Sequence, residues 1–480
     1  MQSKRVLIIS EYIAPVQHIA AIRWTKYAKY LAKDFGCDVT VLTNKKCFEN
    51  ETLEMKHYKY DSLLSKDLKY FKTCYIPLTV RQRVVNCFFS LGQRMLQGMQ
   101  RRQKNAIRDP SEGGHNNKTT NNSLFGLCFS WMLNKNIPET LFEIVEGACG
   151  NAIVSAGVRA SLDFENIDYV ISSYGPRWPH DLALRIKQRC PSVYWIADFR
   201  DALVYSERTD TQSNRELTRR YSSNADFISS ISEGCAENLC IGEGKSWGVF
   251  FNGFDPDDIA SARRERSDRF ELTYTGTLYS EGEAKRDLSP LYRVVDELIA
   301  EGTIDGDRIV CTYAGPSSHL FSEYVRRFPL IHFEDKGLLS REEALTLQGR
   351  ASVLVVSNWN TQLMRGGLSG KVFEYLAKDV PLIGLVSGDV PHSALRELIE
   401  SCEAGVCFEE AEPNTYAGLK NYIARQYSDW MVNGLTSRGE HSLELSLRFA
   451  YPQLAKVFIQ TVDAAVRKRS TPPNEVESLH

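Results

Sequence analysis

The chain has 480 residues and 54.5 kDa, with 58 Lys and Arg against 60 Asp and Glu, giving a formal net charge of −2. That length provides for two or three domains with cores of their own, and 43% apolar with 25% charged residues is an ordinary globular composition. The near-neutral balance excludes a bulk polycation and argues against nucleic acid as a partner.

No apolar run approaches the ~18 residues of a membrane-spanning helix. The run Val6 to Ile9 is too short for a signal-peptide core and is followed by Glu11, so a cytoplasmic location is expected. Twelve cysteines are too dilute for a disulfide scaffold. No CxxC occurs, and Cys235/Cys240 and Cys402/Cys407 lack a matching second half. A zinc site is therefore not expected, and no other metal or cofactor is expected either.

In chain order, KRVLIIS (4–10) reads as a buried strand, Ile19 to Phe35 as a helix and CDVTVLT (37–43) as the next strand. This βαβ opening predicts a parallel sheet covered by helices. Residues 81–108 carry seven Lys/Arg and no acid. Within them Val84, Phe88, Leu91, Met95 and Met99 form an apolar stripe at helical spacing. Such a helix suits an anionic membrane surface, or packs its stripe on its own domain; LFGLCFSWML (124–133) could join either arrangement. The Gly/Asn-rich RDPSEGGHNNKTTNNS (108–123) reads as a loop, part of an insertion at about 105–123.

The alternation resumes with strands at 167–173, 192–198 and 225–232 and helices at Pro179–Arg189 and near 214–223. After FFNGFDPDD (250–258), six strand candidates follow at 270–276, 308–315, 330–335, 351–357, 380–386 and 404–408. Helical patterns lie at 288–301, 340–349, 369–378 and 392–401, and a last one at 441–468. The expected fold class is α/β, two Rossmann-like doubly wound domains facing across a cleft. The divisions are 1–252, 253–440 and a C-terminal helix and tail, 441–480, with that helix expected to return to the N-terminal domain.

The richest segment is GGLSGKVFEYL (366–376). Its glycines let backbone N–H groups approach an anion at a helix start, Lys371 adds a cation, and Glu374 can accept from vicinal sugar hydroxyls. It is not a Walker A loop: Arg365 stands at the required first glycine and Val372 replaces Ser/Thr. YTGTLYSEGEAKRDLSP (274–290) places Gly276 and Thr277 at a turn, then Lys285 and Arg286, whose guanidinium suits a diphosphate. In the first half, SSYGPRWPH (172–180) puts His180 at a helix start, and YWIADFRDA (194–202) leaves a strand with Asp198, Arg200 and Asp201. The Asp-Arg-Asp alternation is equally an internal ion-pair brace. The DxD matches Asp255/Asp257 and Asp305/Asp307 read as turn chemistry.

These segments, in this order and spacing, resemble the GT-B fold and the retaining glycosyltransferase family 4. EYIAPVQHIAAIRWTKYAKYLA (11–32) resembles its first loop and helix, SSYGPRWPH and DFRDA its acceptor-side loops. ISEGCAENL and NGFDPDD resemble its interdomain region, TGTLY with KRD its phosphate-binding entry, and LSGKVFEYLAKDVPLI its donor helix and next strand. The resemblance implies a nucleotide-sugar donor on the C-terminal domain and a glycan or polyprenyl-linked acceptor on the N-terminal one. It also implies retention at the anomeric carbon. Arg286 and Lys371 would hold the diphosphate and Glu374 the ribose. Gly367, Leu368 and Ser369 would give backbone contacts, and Gly337 and Leu338 would lie near the base. His180 would touch sugar or acceptor, with Arg23 on the facing loop. Two positions depart from the family: Gly366 replaces a carboxylate, and Ala20-Ala21 replaces Gly-Gly.

The leading expectation is a cytoplasmic glycosyltransferase of surface-polysaccharide synthesis, peripheral on the inner face of a membrane through 81–108. The competing readings are an inactive GT-B binding subunit and a nucleotide-sugar epimerase of the same architecture. A dinucleotide oxidoreductase is weaker, since no GxGxxG follows the first strand.

Overall fold

The computed structural model describes residues 3–44, 60–76, 154–155, 166–207, 209–259, 267–279 and 285–470. The expected basic helix at 81–108, the loop at 108–123 and the apolar segment at 124–133 lie outside them.

Seven parallel strands form the first sheet: β1 (Arg5–Ile9), β2 (Asp38–Asn44), β3 (Lys72–Ile76), β4 (Tyr169–Ser173), β5 (Tyr194–Phe199), β6 (Phe227–Ser230) and β7 (Ser246–Val249). Their order is β3-β2-β1-β4-β5-β6-β7. Six parallel strands form the second: β8 (Phe270–Thr275), β9 (Ile309–Ala314), β10 (Phe333–Asp335), β11 (Val353–Trp359), β12 (Leu382–Ser387) and β13 (Gly405–Glu409). Their order is β10-β9-β8-β11-β12-β13. Every residue of β4, β5 and β6 is buried. Helices cover both faces of such sheets, which is why their strands read as continuous apolar runs in the sequence.

Each sheet reverses direction once, between β1 and β4 in the N-lobe and between β8 and β11 in the C-lobe. In open parallel sheets, ligands bind outside the carboxyl ends of the strands at these reversals. The loops there are Ser10–His18 and Tyr174–Arg177 in the N-lobe, and Gly276–Tyr279 and Asn360–Ser369 in the C-lobe.

The first helix, α1 (Ile19–Phe35), is capped by His18, whose Nδ1 accepts from the Ala20 N–H, and ends at Gly36 in the left-handed region. Against it packs the last helix, Tyr451–Ser470. Tyr451, Leu454, Phe458, Ile459 and Val462 join Trp24, Tyr27, Ala28 and Leu31 in one apolar cluster, with the Tyr27 and Tyr451 rings 5.6 Å apart. The last described helix therefore packs on the lobe where the chain begins, as expected.

Three differences from the sequence reading stand out. The helix expected over 441–468 is two, Glu440–Ser446 and Tyr451–Ser470, separated where Ala450 turns extended and pairs with Phe254. Pro452 sits in the first turn of the second, where its missing N–H costs no helix bond. β3 and β7 are sheet edges with mixed polar sequences, which hides them from an apolar-run reading. The helix Thr415–Asn433, which buries Leu419, Tyr422, Ile423, Tyr427 and Trp430, is also missing from the sequence reading.

Candidate functional site

Three C-lobe loops meet at the carboxyl edge of the second sheet, each through a glycine. The Gly276 N–H donates to Ala314 at 2.8 Å, and the Gly315 N–H donates to Gly337 at 2.8 Å. A Cβ on Gly315 would lie 2.0 Å from the Gly276 carbonyl oxygen, so no side chain fits between these turns. Gly276 and Gly337, both expected at the site, have φ of +156° and +62°. Gly315 was not singled out in the sequence; only the preceding strand marked it.

Two cations stand over this floor. Arg286 donates from Nη1 to the Thr277 carbonyl at 3.2 Å, and its guanidinium lies 5.1 Å from the ring centres of both Tyr279 and Trp359. Its Nε is buried with no hydrogen-bond partner among the described residues. Lys371 reaches the same turn: its Nζ is 2.7 Å from the point a Cβ on Gly276 would occupy. Burial, and next the charge of Arg286, push the Lys371 ammonium down to about 8, with Glu374 opposing. Among the described residues Lys371 has no salt bridge. Two mutually repelling cations thus stand at one glycine turn where no side chain fits.

Lys371 opens the short helix Gly370–Leu376, and its entry lies between the lobes. A Cβ on Gly370 would meet the Ile19 side chain of α1 at 2.7 Å. Next to it the Gln17 Nε2 donates to the Leu339 carbonyl at 3.4 Å, and the Asn238 Nδ2 donates to the Leu363 carbonyl at 2.9 Å. The Gly367 carbonyl accepts from the Asn358 side chain, Leu368 packs into the C-lobe core, and the Ser369 side chain makes no cap bond. Leu338 is largely exposed beside Gly337.

Gly366, where the family pattern has a carboxylate, has φ +71°, and a Cβ there would lie 2.5 Å from the Ser232 Oγ and 3.0 Å from the Gly234 Cα. The lobes touch at this point, so a side chain is excluded by both conformation and space. Glu374 is nearly buried and accepts at Oε1 from the Arg341 Nε at 3.1 Å, an arginine absent from the sequence reading.

The N-lobe corrects two expectations. Arg23 is not on a facing loop; it is fully buried in α1, where its Nη2 lies 2.8 Å from the Asp198 Oδ1 and its Nη1 donates to the carbonyls of Phe250 and Phe251. Burial alone would raise the Asp198 carboxyl, but Arg23, Ser229 and Trp24 together hold it below the usual range. The Asp-Arg-Asp motif is thus a brace through Asp198. His180 is the second correction. It lies in a fully buried box with Phe199 at 4.8 Å, Tyr221 at 5.0 Å and Tyr174 at 5.5 Å, and neither ring nitrogen has a partner among the described residues. Burial drives it down to about 3, so it stands neutral inside this aromatic box.

What the N-lobe does present beside the C-lobe is His18, between Gln17 and Ile19. Its ring stacks on Tyr12 at 4.3 Å, and burial, then Arg200, push it down to about 4. Arg200 donates from Nε to Asp201 at 2.8 Å and lies 5.9 Å from the Tyr12 ring, so the structure brings Arg200 and Asp201 to this rim. His18 lies within the segment 11–32, and nothing in the local sequence marks it for the site; its Nδ1 is the cap of the first helix. The DxD candidates are turns, as read. The Asp257 and Asp307 N–H groups donate to Asp255 and Asp305 at 3.0 Å, and Asp255 also receives Lys26 and Lys29 at 2.6 and 2.7 Å.

Two facing parallel-sheet lobes, with the last helix returned to the first lobe, define a GT-B fold. No protein-family model and no characterised sequence matches this chain. Among solved structures, the chain is similar to the lipopolysaccharide outer core galactosyltransferase WaaB in its apo form, at 12% identity and TM-score 0.51 over 96% of this chain and 99% of that one. It is also similar to the α,α-trehalose 6-phosphate synthase of Burkholderia multivorans, at 10% and 0.59 over 98% and 100%. A Listeria monocytogenes protein assigned as a UDP-N-acetylglucosamine 2-epimerase is similar at 12% and 0.50 over 98% of each chain. At such identities the likeness is one of fold.

Proposed function

We propose that the chain is a glycosyltransferase that binds a nucleoside-diphosphate sugar across Arg286 and Lys371. The observation that carries this reading is the pair of mutually repelling cations on the glycine turn at the C-lobe switch point, beside the N-lobe loop Gln17–Ile19. Breaking a sugar C1–O bond to a nucleoside diphosphate builds negative charge on the departing phosphate. Fixed cations in a water-poor crevice stabilise that charge as it grows. Their order of magnitude is roughly 3 kcal/mol per removed donor in such sites. Glu374 would take the ribose hydroxyls, with the Gly337–Leu338 turn near the base. The acceptor would lie on the N-lobe beside Arg200 and Asp201.

The resemblance to glycosyltransferase family 4 supports the finer reading of a hexosyl transfer with retention, onto a glycan or polyprenyl-linked acceptor of a surface polysaccharide. Residues 81–108 would then meet an anionic membrane. Among the described residues no helix is long and apolar enough to cross a membrane.

The test is incubation with a panel of UDP- and GDP-sugars, following release of the nucleoside diphosphate. Release that requires Lys371 and Arg286 supports transfer. Inversion of the sugar with its nucleotide still attached would instead identify an epimerase of the same fold. No change in any donor, with or without acceptor, would leave a binding scaffold.

A further inference from the structure

Arg341 opens the helix Arg341–Arg350 and is joined to three carboxylates that lie far apart in the chain. Its Nε and Nη2 reach the Glu374 Oε1 at 3.1 and 3.0 Å, and its Nη1 reaches the Asp258 Oδ2 at 2.9 Å and the Asp61 Oδ2 at 3.9 Å. Asp61 is in the N-lobe, Asp258 in the segment between the sheets and Glu374 in the helix beside the two cations. Asp258 is held in turn by Lys26 of α1 at 2.9 Å. Burial works against the charge on Arg341, but Glu374, Asp258 and Asp61 outweigh it, so the guanidinium stays charged.

Both contacts from Arg341 to Glu374, a hydrogen bond from Nε and an ion-pair contact from Nη2, end on Oε1, and among the described residues no hydrogen bond ends on Oε2. A carboxylate fixed through one oxygen by a planar fork keeps the other as an acceptor of set direction. We infer that Arg341 is a positioning residue for ribose recognition: it holds Glu374 so that Oε2 can accept from the vicinal ribose hydroxyls. The same guanidinium ties that carboxylate to the inter-sheet segment and the N-lobe. The inference rests on the nucleotide reading above. The diphosphate does not need Arg341, because Arg286 and Lys371 sit on a different turn, so the two contributions separate experimentally.

Calorimetric titration of inorganic pyrophosphate, UDP, GDP and ADP, and the 2′,3′-dideoxy form of the nucleotide that binds, reads this directly. For Arg341→Met, affinity for the ribonucleotide is expected to fall about tenfold while pyrophosphate affinity is unchanged. The dideoxy form should bind the unaltered protein as weakly as the ribonucleotide binds the variant, with no further loss on combining the two. Adding Arg341→Met to Glu374→Gln should likewise cost nothing more. Arg341→Lys, which keeps the charge without the fork, covers the case in which the methionine variant does not fold, and should show the same selective loss in smaller measure. Unchanged ribonucleotide affinity, or equal loss for pyrophosphate and nucleotide, would overturn the inference. An unaltered protein that binds neither pyrophosphate nor any nucleotide would overturn the nucleotide reading and this one with it.

Discussion

Lys371 is the residue whose protonation the account uses. Its ammonium is lowered to about 8 by burial and then by Arg286, and an incoming diphosphate would raise it again. Anion affinity should therefore be full well below pH 8 and weaken as the pH rises through and above 8, with a fraction of a proton taken up on binding near pH 8 and approaching about one at higher pH. Calorimetry in two buffers of different ionisation enthalpy measures that uptake; affinity that stays flat from pH 7 to 9.5 would speak against the assignment. Asp198 makes a prediction about stability instead. Asp198→Ala strands the Arg23 guanidinium in the core and should cost about 3–5 kcal/mol in urea unfolding. His180→Leu should leave nucleotide affinity unchanged, since the ring is sealed among aromatics. The sequence could place His180 at a helix start but not choose between rim and core. That choice is made by Phe199 and Tyr221, 19 and 41 positions further along the chain. The brace from Arg23 to Asp198, 175 positions apart, was likewise illegible in local spacing.

At the scale of elements, the strands were the most legible, because parallel strands covered on both faces are short apolar runs bounded by glycine and charge. The strand expected at 330–335 shrinks to Phe333–Asp335, and the edge strands β3 and β7 escaped, since solvent-exposed edges do not keep an apolar pattern. The loop between β11 and the helix Gly370–Leu376 carries its own prediction. Restoring the family's carboxylate by Gly366→Glu would drive a side chain into Ser232 and Gly234 at a positive φ. The variant should unfold at lower temperature and lose nucleotide affinity as the lobes are forced apart; Gly366→Ala should show the same at smaller size, roughly 1–2 kcal/mol. A Gly366→Glu protein with unaltered melting and activity would show that the lobes do not meet there in solution. The glycine is thus explained by packing against the other lobe, which a pattern read along one segment cannot reveal.

For the whole molecule, two facing switch points put the glycine turns of the C-lobe and the loop Ser10–His18 of the N-lobe on one crevice. The last helix completes the N-lobe: removing Tyr451–Ser470 would expose Trp24, Tyr27 and Leu31, and the truncated chain should be insoluble or molten, with lost near-ultraviolet dichroism. The architecture followed from the order of strands and helices. The geometry of the candidate site followed only in part, because Gly276, Lys371 and Arg286 were legible as segments suited to an anion while their shared turn, and the Arg341 beside Glu374, needed the fold. The most direct test of the central claim is titration of pyrophosphate and nucleoside diphosphates into the unaltered protein and into a Lys371→Met, Arg286→Met variant. The account predicts binding by the first and none by the second, with both unfolding at the same urea concentration. Equal binding by the two proteins would contradict it.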